Sequence, residues 1–253
     1  MTGANRGLGL ETCRQLGRHG LRVILTSRGP TGADVARVLT QEGLDVLHRV
    51  LDVSDAASIA VLSTALRHQG VTVDVLVNNA AVSLSGFDGE IARRTLAVNF
   101  FGALHVTDAL LDLIPSGGNI VMVSSGYGEL SRVVPRPREV LTDPALTRDQ
   151  LISLMHSFVG AIERGSHAEA GWPSSAYAVS KVAMNALVRI LAPELAARSI
   201  RVNAVTPGWV RTDMGGACAE RSIDEGAASI LWAAASADGP TGGFFRDGEP
   251  LAW

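Results

Sequence analysis

The chain predicts an α/β fold built on a doubly wound parallel sheet. Three observations lead there. Short continuous runs of Val, Ile and Leu alternate with segments of helical spacing, as expected for parallel strands covered by helices on both faces. A glycine-rich loop, Thr2-Gly-Ala-Asn-Arg-Gly-Leu-Gly9, opens the chain and leads into the first helical segment. The 253 residues are 47% hydrophobic and 19% charged, enough for one large core and wrong for disorder.

The elements follow in order. Glu11–His19 has helical spacing, and Arg22–Thr26, with its Val-Ile-Leu centre, reads as a strand. Gly32–Glu42 is a helix, Val46–Leu51 a strand and Ala56–Gln69 a helix. Val73–Val77 is an apolar strand ending in Asn78-Asn79. Ile91–Leu113 reads as one long helix, and Asn119–Val123 as a strand that closes on Ser124-Ser125. Tyr177–Arg198 is a helix, Ile200–Ala204 a strand and Gly226–Ala235 a helix. Residues 1–253 read as a single domain without internal repeats.

Two regions break the alternation. Gly126–Pro173 is a long connection containing Pro135, Pro137 and Pro144, then a helix from Thr147 to Glu163 with Thr147 and Gln150 spaced as a capping box. Connections of this size serve as lids or binding walls, so residues 126–173 read as an insertion over the substrate. The other region is the start. A phosphate-binding glycine loop should follow a strand, yet only Met1 precedes Thr2.

Bulk properties exclude several classes. The net charge is −3, and no basic stripe suggests nucleic acid. No run of about 18 apolar residues is free of charge, so no membrane partner is expected. The N-terminus has no apolar secretory segment, and Cys13 and Cys218 are isolated thiols, which suits a reduced, cytoplasmic location. None of the six histidines has zinc-ligand spacing with another His or Cys, so no catalytic metal is expected.

The glycines Gly3, Gly7 and Gly9 allow a sharp turn, close approach to a pyrophosphate and tight helix packing, and the helix start offers free N–H groups. This is the Rossmann-type arrangement. Asn5, Arg6 and Leu8 lie within the same loop. Arg28 follows the second strand where an acid would select a ribose 2′-hydroxyl and an arginine a 2′-phosphate, and Arg6 adds a second cation, so NADP is expected over NAD. Two solvated surface arginines are the alternative. Asp52, with Val53 beside it, is positioned to accept from adenine, or else to cap the following helix. Asn79 and Ala80 end a strand at the ligand edge of the sheet, where Asn also ties strand ends together.

Tyr177 and Lys181 stand four residues apart, on one face of a helix. An ammonium beside a phenol lowers its pKa from about 10, which makes Tyr177 a candidate proton donor to a carbonyl. Ser125 can hydrogen-bond that carbonyl, or simply cap a turn. Asn99, polar within a helix, holds either a relay water leading to Lys181 or a structural bond to a neighbouring strand. Pro207-Gly-Trp-Val-Arg-Thr212 follows a strand and would lie over a nicotinamide, with Val210 and Thr212 within reach. Trp209 and Tyr127 would wall the substrate pocket.

Together Thr2–Gly9, Asn78-Asn79-Ala80, Asn99, Ser125, Tyr177-x-x-x-Lys181 and Pro207-Gly208 resemble the short-chain dehydrogenase/reductase family. Gly171-Trp-Pro-Ser-Ser-Ala-Tyr177, Pro207-Gly-Trp-Val-Arg-Thr-Asp-Met214 and the terminal Trp253 are similar to its carbonyl-reductase subgroup. The resemblance implies a catalytic set of Ser125, Tyr177, Lys181 and Asn99, an NADP(H) cofactor and a small-molecule carbonyl substrate. Lys181 would also bind the nicotinamide ribose. The same resemblance implies a monomer, because the inserted helix covers a face used for dimerisation elsewhere. Reduction of a ketone or aldehyde is the expected activity. Oxidation of an alcohol by the same fold, or a non-enzymatic NADP-binding regulator, are the alternatives. Three departures stand out: Ala81 in place of glycine, Gly126-Tyr127 after the serine, and the missing first strand. The last implies about five to eight further residues upstream, one strand's worth.

Overall fold

The computed structural model describes residues 1–133, 135–236 and 238–253. Among the described residues, six strands run parallel in two groups. β1 (Val23–Ser27) pairs with β2 (Val46–Val50). β3 (Val75–Asn78), β4 (Asn119–Val123) and β5 (Arg201–Val205) pair in that order, and β6 (Phe244–Arg246) extends the row in parallel. A short antiparallel β7 (Glu249–Pro250) closes the edge. The sequence patterning missed β6 and β7, which are three and two residues long. Such segments carry too little alternation to be read.

Helices α1 (Gly7–Arg18), α2 (Thr31–Gln41), α3 (Ala56–His68), α4 (Gly89–Leu96) and α5 (Ala103–Leu110) connect the first strands. After β4 come α6 (Pro135–Thr142), α7 (Arg148–Glu163) and α8 (Ala176–Leu195), and α9 (Ile223–Ala235) follows β5. The sheet is covered on both faces, and its strands show why continuous apolar runs were needed. On β4, Ile120 and Met122 enter the core under α3, α5 and α8, whereas Val121 and Val123 enter the core under α1 and α9.

Several boundaries moved. α1 begins at Gly7, inside the glycine loop, rather than at Glu11. α9 begins at Ile223 because Ser222 and Glu225 form a capping box three residues ahead of the periodic stretch. The expected single helix over 91–113 is broken by a π-helical turn, Ala97–Gly102. Gly89–Leu113 is long and apolar enough to cross a membrane, yet it is packed against α3, α7 and α8 in the core and half buried there.

The insertion is more helical than its prolines suggested. α6 carries Pro137 in its first turn, where a missing N–H costs no helical bond. Thr147 and Gln150 form the expected box at the start of α7. α7 lies across α4 and α8, with Phe158 between Phe87 and Trp172 at ring distances of 6.5 and 5.2 Å. Arg148 holds the helix start to Asp108 of α5 at 2.7 Å and Glu194 of α8 at 2.6 Å.

β1 and β3 do not pair with each other. Between them lies Met1–Ala4. The Met1 amine donates to the Ile24 carbonyl at 2.8 Å, and the Met1 carbonyl accepts from the Thr26 N–H at 3.0 Å. Thr2 donates to the Val77 carbonyl at 3.0 Å and Ala4 to the Thr26 carbonyl at 2.9 Å. These four residues join the two groups of strands by backbone hydrogen bonds on both sides.

Candidate active site

The site is assembled at the carboxyl ends of the parallel strands, where ligands of open α/β sheets bind. The glycine loop leaves Met1–Ala4 and enters α1 there. A Cβ on Gly3 would stand 2.8 Å from the Ala80 Cα, at a backbone φ of +61°. One on Gly9 would stand 2.7 Å from the Gly3 carbonyl oxygen and the Asn79 Nδ2. Only glycine permits both approaches. Arg6 at the start of α1 offers no side-chain cap, and the first turn contains no acid. The leading N–H groups of a twelve-residue helix therefore remain open to an anion, as a pyrophosphate requires.

The predicted dinucleotide residues divide into two groups. Arg28 is exposed at the end of β1 and forms no ion pair among the described residues. Asn5 reaches Thr31 at 3.4 Å, next to it. These fit a 2′-phosphate. Arg6 does not reach toward Arg28; its guanidinium bonds Asp213 at 2.6 Å across the cleft. Asn79 uses its amide to hold the Thr2 and Gly3 carbonyls at 2.9 and 3.0 Å, the strand-tying role, while Ala80 N–H donates to Thr2 Oγ1.

Three residues expected at the cofactor, Asp52, Val53 and Val210, make contacts of their own within the chain. The Asp52 carboxylate accepts from the Ser54 N–H and hydroxyl at 2.9 and 2.6 Å, so it orders its own turn, and Asp55 caps α3. Val53 buries its side chain against Gly102, whose missing Cβ would stand 2.8 Å from Val53 Cγ2. Val210 likewise turns its side chain into the core beside Gly226, which leaves only its backbone toward the cleft. The Pro207–Thr212 loop does cover the glycine loop. Gly208 takes a φ of +78° where a Cβ would meet Arg221, and the Thr212 methyl lies 3.7 Å from where a Gly7 Cβ would be. Trp209 is half-exposed and donates to the Gly215 carbonyl at 2.9 Å.

α8 supplies the chemistry. Ser175 caps it by accepting from the Ala178 N–H, and the helix is buried nearly all round. Tyr177 and Lys181 share one face, with the amine 5.7 Å from the ring centre. The Lys181 amine is buried and donates to the Val123 carbonyl at 2.7 Å. Burial pushes its pKa down to about 7. Burial raises the Tyr177 pKa, a hydrogen bond with Ser125 opposes that, and Tyr127 adds to it. The sequence expected the ammonium to lower the phenol's pKa. Here the amine donates to the Val123 carbonyl, and burial is the larger influence on the phenol, raising its pKa.

Ser125 accepts the Tyr127 N–H at 3.2 Å, which singles it out from Ser124, whose hydroxyl is buried behind it. Tyr127 is half-exposed, its ring 6.1 Å from and nearly perpendicular to the Tyr177 ring. Arg132, absent from the sequence reading, lies 4.4 Å over the Tyr127 ring. Asn99 sits in the π-helical turn. Its amide donates to the Val82 carbonyl at 2.9 Å and to Ser180 at 3.0 Å, and its oxygen accepts from the Val82 N–H at 2.8 Å. Both amide hydrogens are taken, so this side chain fastens the Val82 loop to α8. Ser180 was missed because nothing in its local sequence marks a partner 81 residues away.

The model of the short chain dehydrogenase family matches residues 1–135, and that of enoyl-(acyl carrier protein) reductase matches residues 150–235. Carbonyl reductase [NADPH] 1 of Homo sapiens is 37% identical over 268 residues, covering 100% of this chain and 97% of the relative. The Bos taurus protein of the same name is 36% identical with the same coverage. Salutaridine reductase from Papaver somniferum superposes with a TM-score of 0.89 at 29% identity, covering 97% of this chain and 98% of that one. Menthone neomenthol reductase from Mentha piperita gives 0.85 at 28%, covering 98% and 97%. Shared architecture, full-length similarity and the Tyr177–Lys181 helix agree: the chain belongs to the short-chain dehydrogenase family.

Proposed function

We propose that the protein is an NADPH-dependent carbonyl reductase that turns a ketone or aldehyde into an alcohol, with Tyr177 as the proton donor. The observation that carries this reading is the Tyr177 hydroxyl, hydrogen-bonded to Ser125 and with the buried Lys181 on the same helix face. The cofactor fit rests on the uncapped start of α1, the glycine approaches at Gly3 and Gly9, and the unpaired Arg28. NADPH in this cradle supplies the hydride that reduces the carbonyl carbon.

The protein's own residues do the rest. The Ser125 hydroxyl, which accepts from the Tyr127 N–H and bonds the Tyr177 hydroxyl, orients the carbonyl oxygen. Tyr177 passes its proton to that oxygen as negative charge develops there. Lys181, on the same helix face as the phenol, would donate to the cofactor's ribose. Tyr127, Trp209 and the 126–173 segment wall the substrate.

The relatives named as NADPH carbonyl reductases support the cofactor and the reaction class. Docking of α7 across α4 supports a monomer, and the chain's reduced cysteines suit the cytoplasm. The test is NADPH oxidation with a panel of ketones, quinones and aldehydes, compared with Tyr177→Phe. The wild-type chain should turn over at least one class, and the Phe variant should bind NADPH yet scarcely react. Wild-type turnover by the Phe variant would discard the assignment.

A further inference from the structure

We propose that His48 is a positioning residue for the choice of NADP over NAD: acting through Ser27, it holds the Arg28–Pro30 turn so that the Arg28 guanidinium is set to bind a 2′-phosphate. The inference deepens the reading of Arg28 as the phosphate residue and rests on it.

The turn needs an anchor. β1 ends at Ser27 and α2 begins only at Thr31. Pro30, ahead of α2, offers no side-chain cap. Gly29 has no side chain, and a Cβ there would have no neighbour within 4 Å. Arg28 is exposed. A guanidinium carried on a loose turn loses conformational freedom when it grips a phosphate, and that loss lowers affinity.

Two hydrogen bonds in series supply that anchor. The Ser27 hydroxyl donates to the Gly29 carbonyl at 2.9 Å. Its oxygen lies 3.0 Å from Nε2 of His48, on the neighbouring β2. A hydroxyl has one hydrogen, and Gly29 takes it, so the ring is the donor to Ser27. Burial, and after it Arg49, holds the His48 pKa below the usual histidine value, so the ring is neutral at neutral pH and carries a single N–H. The chain of bonds assigns that hydrogen to Nε2. It runs from the His48 ring to Ser27 and from Ser27 to the carbonyl of the residue after Arg28.

Packing converges on the same pair. Leu25 stands opposite His48 in the β1–β2 register, which puts Ser27 and His48 on one face of the sheet. The start of α2 closes over that face. A Cβ on Gly32 would stand 2.3 Å from His48 Nε2 and 2.4 Å from Ser27 Oγ, so no other residue fits there without displacing the pair. Ser27 is buried and His48 half-buried beneath it. Thr31, next to that glycine, meets Asn5 of the glycine loop at 3.4 Å. The pair therefore underlies the corner where the turn, α2 and the glycine loop meet. NADH has no 2′-phosphate for Arg28 to grip, so loosening this corner should weaken NADPH and spare NADH.

The test is binding of NADPH and of NADH, titrated without substrate. His48→Leu removes the donor and should raise the NADPH Kd about three- to tenfold, the worth of one hydrogen bond, with the NADH Kd within about twofold of wild type. His48→Gln, whose amide N–H reaches about as far as Nε2, should bind NADPH as the wild type does. Ser27→Ala should match His48→Leu, and the double variant should be no weaker than either, because both changes break one chain. Should His48→Leu fail to fold, Ser27→Ala and His48→Gln carry the comparison. Equal losses for both cofactors would make the pair a structural support only and overturn the proposal. So would unaltered NADPH binding in His48→Leu or Ser27→Ala, a Gln variant as weak as the Leu variant, or additive losses in the double variant. Arg28→Asp separates this inference from the reading beneath it. If Arg28→Asp loses the preference for NADPH while His48→Leu keeps it, His48 falls and Arg28 stands; if Arg28→Asp keeps the preference, both fall.

Discussion

The catalytic half and the dinucleotide half of the cleft are built differently. Ser125, Tyr177 and Lys181 stand on β4 and α8, inside an unbroken row of strands from β3 to β7. Their polar atoms are paired: Lys181 with the Val123 carbonyl, Ser125 with Tyr127 and Tyr177, and Asn99 with Val82 and Ser180. Arg28 and the outer wall of the adenosine side belong to the β1–β2 pair, which meets the rest of the sheet through Met1–Ala4. Changes in the first half should act on turnover, and changes in the second on cofactor affinity.

The largest expected effect tests the first half. Tyr177→Phe should lower kcat by about 10²–10⁴-fold, the range of a general acid, with NADPH affinity within about twofold of wild type. A loss confined to NADPH affinity would erase the distinction between the halves. Lys181→Met sharpens it through pH. The Lys181 pKa is near 7 in the folded chain against 10.5 as the ordinary value. Between these the unfolded chain binds more protons, so stability rises with pH across that window and is lowest below about 7. The slope limit is about 1.4 kcal/mol per pH unit for one group. Thermal melts from about pH 7 to 9.5 should show the rise, and Lys181→Met should flatten it; an unchanged slope would place the effect elsewhere. Smaller again is Arg28→Asp. Loss of a charged hydrogen bond, about 1.5–3 kcal/mol, should weaken NADPH by about 10- to 100-fold while NADH is little changed. Binding titrations of both cofactors decide it, and an unaltered preference would remove Arg28 from the phosphate site.

Legibility followed the same division only in part. Tyr177 and Lys181 were readable because helical spacing alone fixes their common face. The glycine loop and the parallel strands were readable because close approach and double-sided burial each force a residue type. The Tyr177 pKa was misjudged because a neighbour's charge is visible in sequence, whereas burial and the carbonyl that claims that neighbour are not. Asn99 announced itself as a polar intruder in a helix, but the π-helical turn and the Val82 loop that it secures are tertiary facts. Asp52 and Val53 followed a strand as expected, but the Ser54 turn and the close pass of Gly102 around them were not legible in the sequence.

Arg6 and Asp213 give the finest test, because they join the two halves across 207 residues of chain. Both side chains are about three-quarters exposed, at 74% and 79%, so their attraction is screened and worth roughly 0.2–1 kcal/mol. Arg6 precedes the open start of α1, and an anion seated there would compete with Asp213 for the same guanidinium. Asp213→Asn keeps the shape and removes the competitor. NADPH should then bind more tightly by up to about fivefold at low salt, with the gain fading as ionic strength rises and the Debye length shrinks to about 8 Å. Turnover with saturating cofactor should not change, because no bond of Ser125, Tyr177 or Lys181 passes through Asp213. Weaker NADPH binding in Asp213→Asn would reverse the assignment: Asp213 would then be holding Arg6 in place for the phosphate rather than away from it.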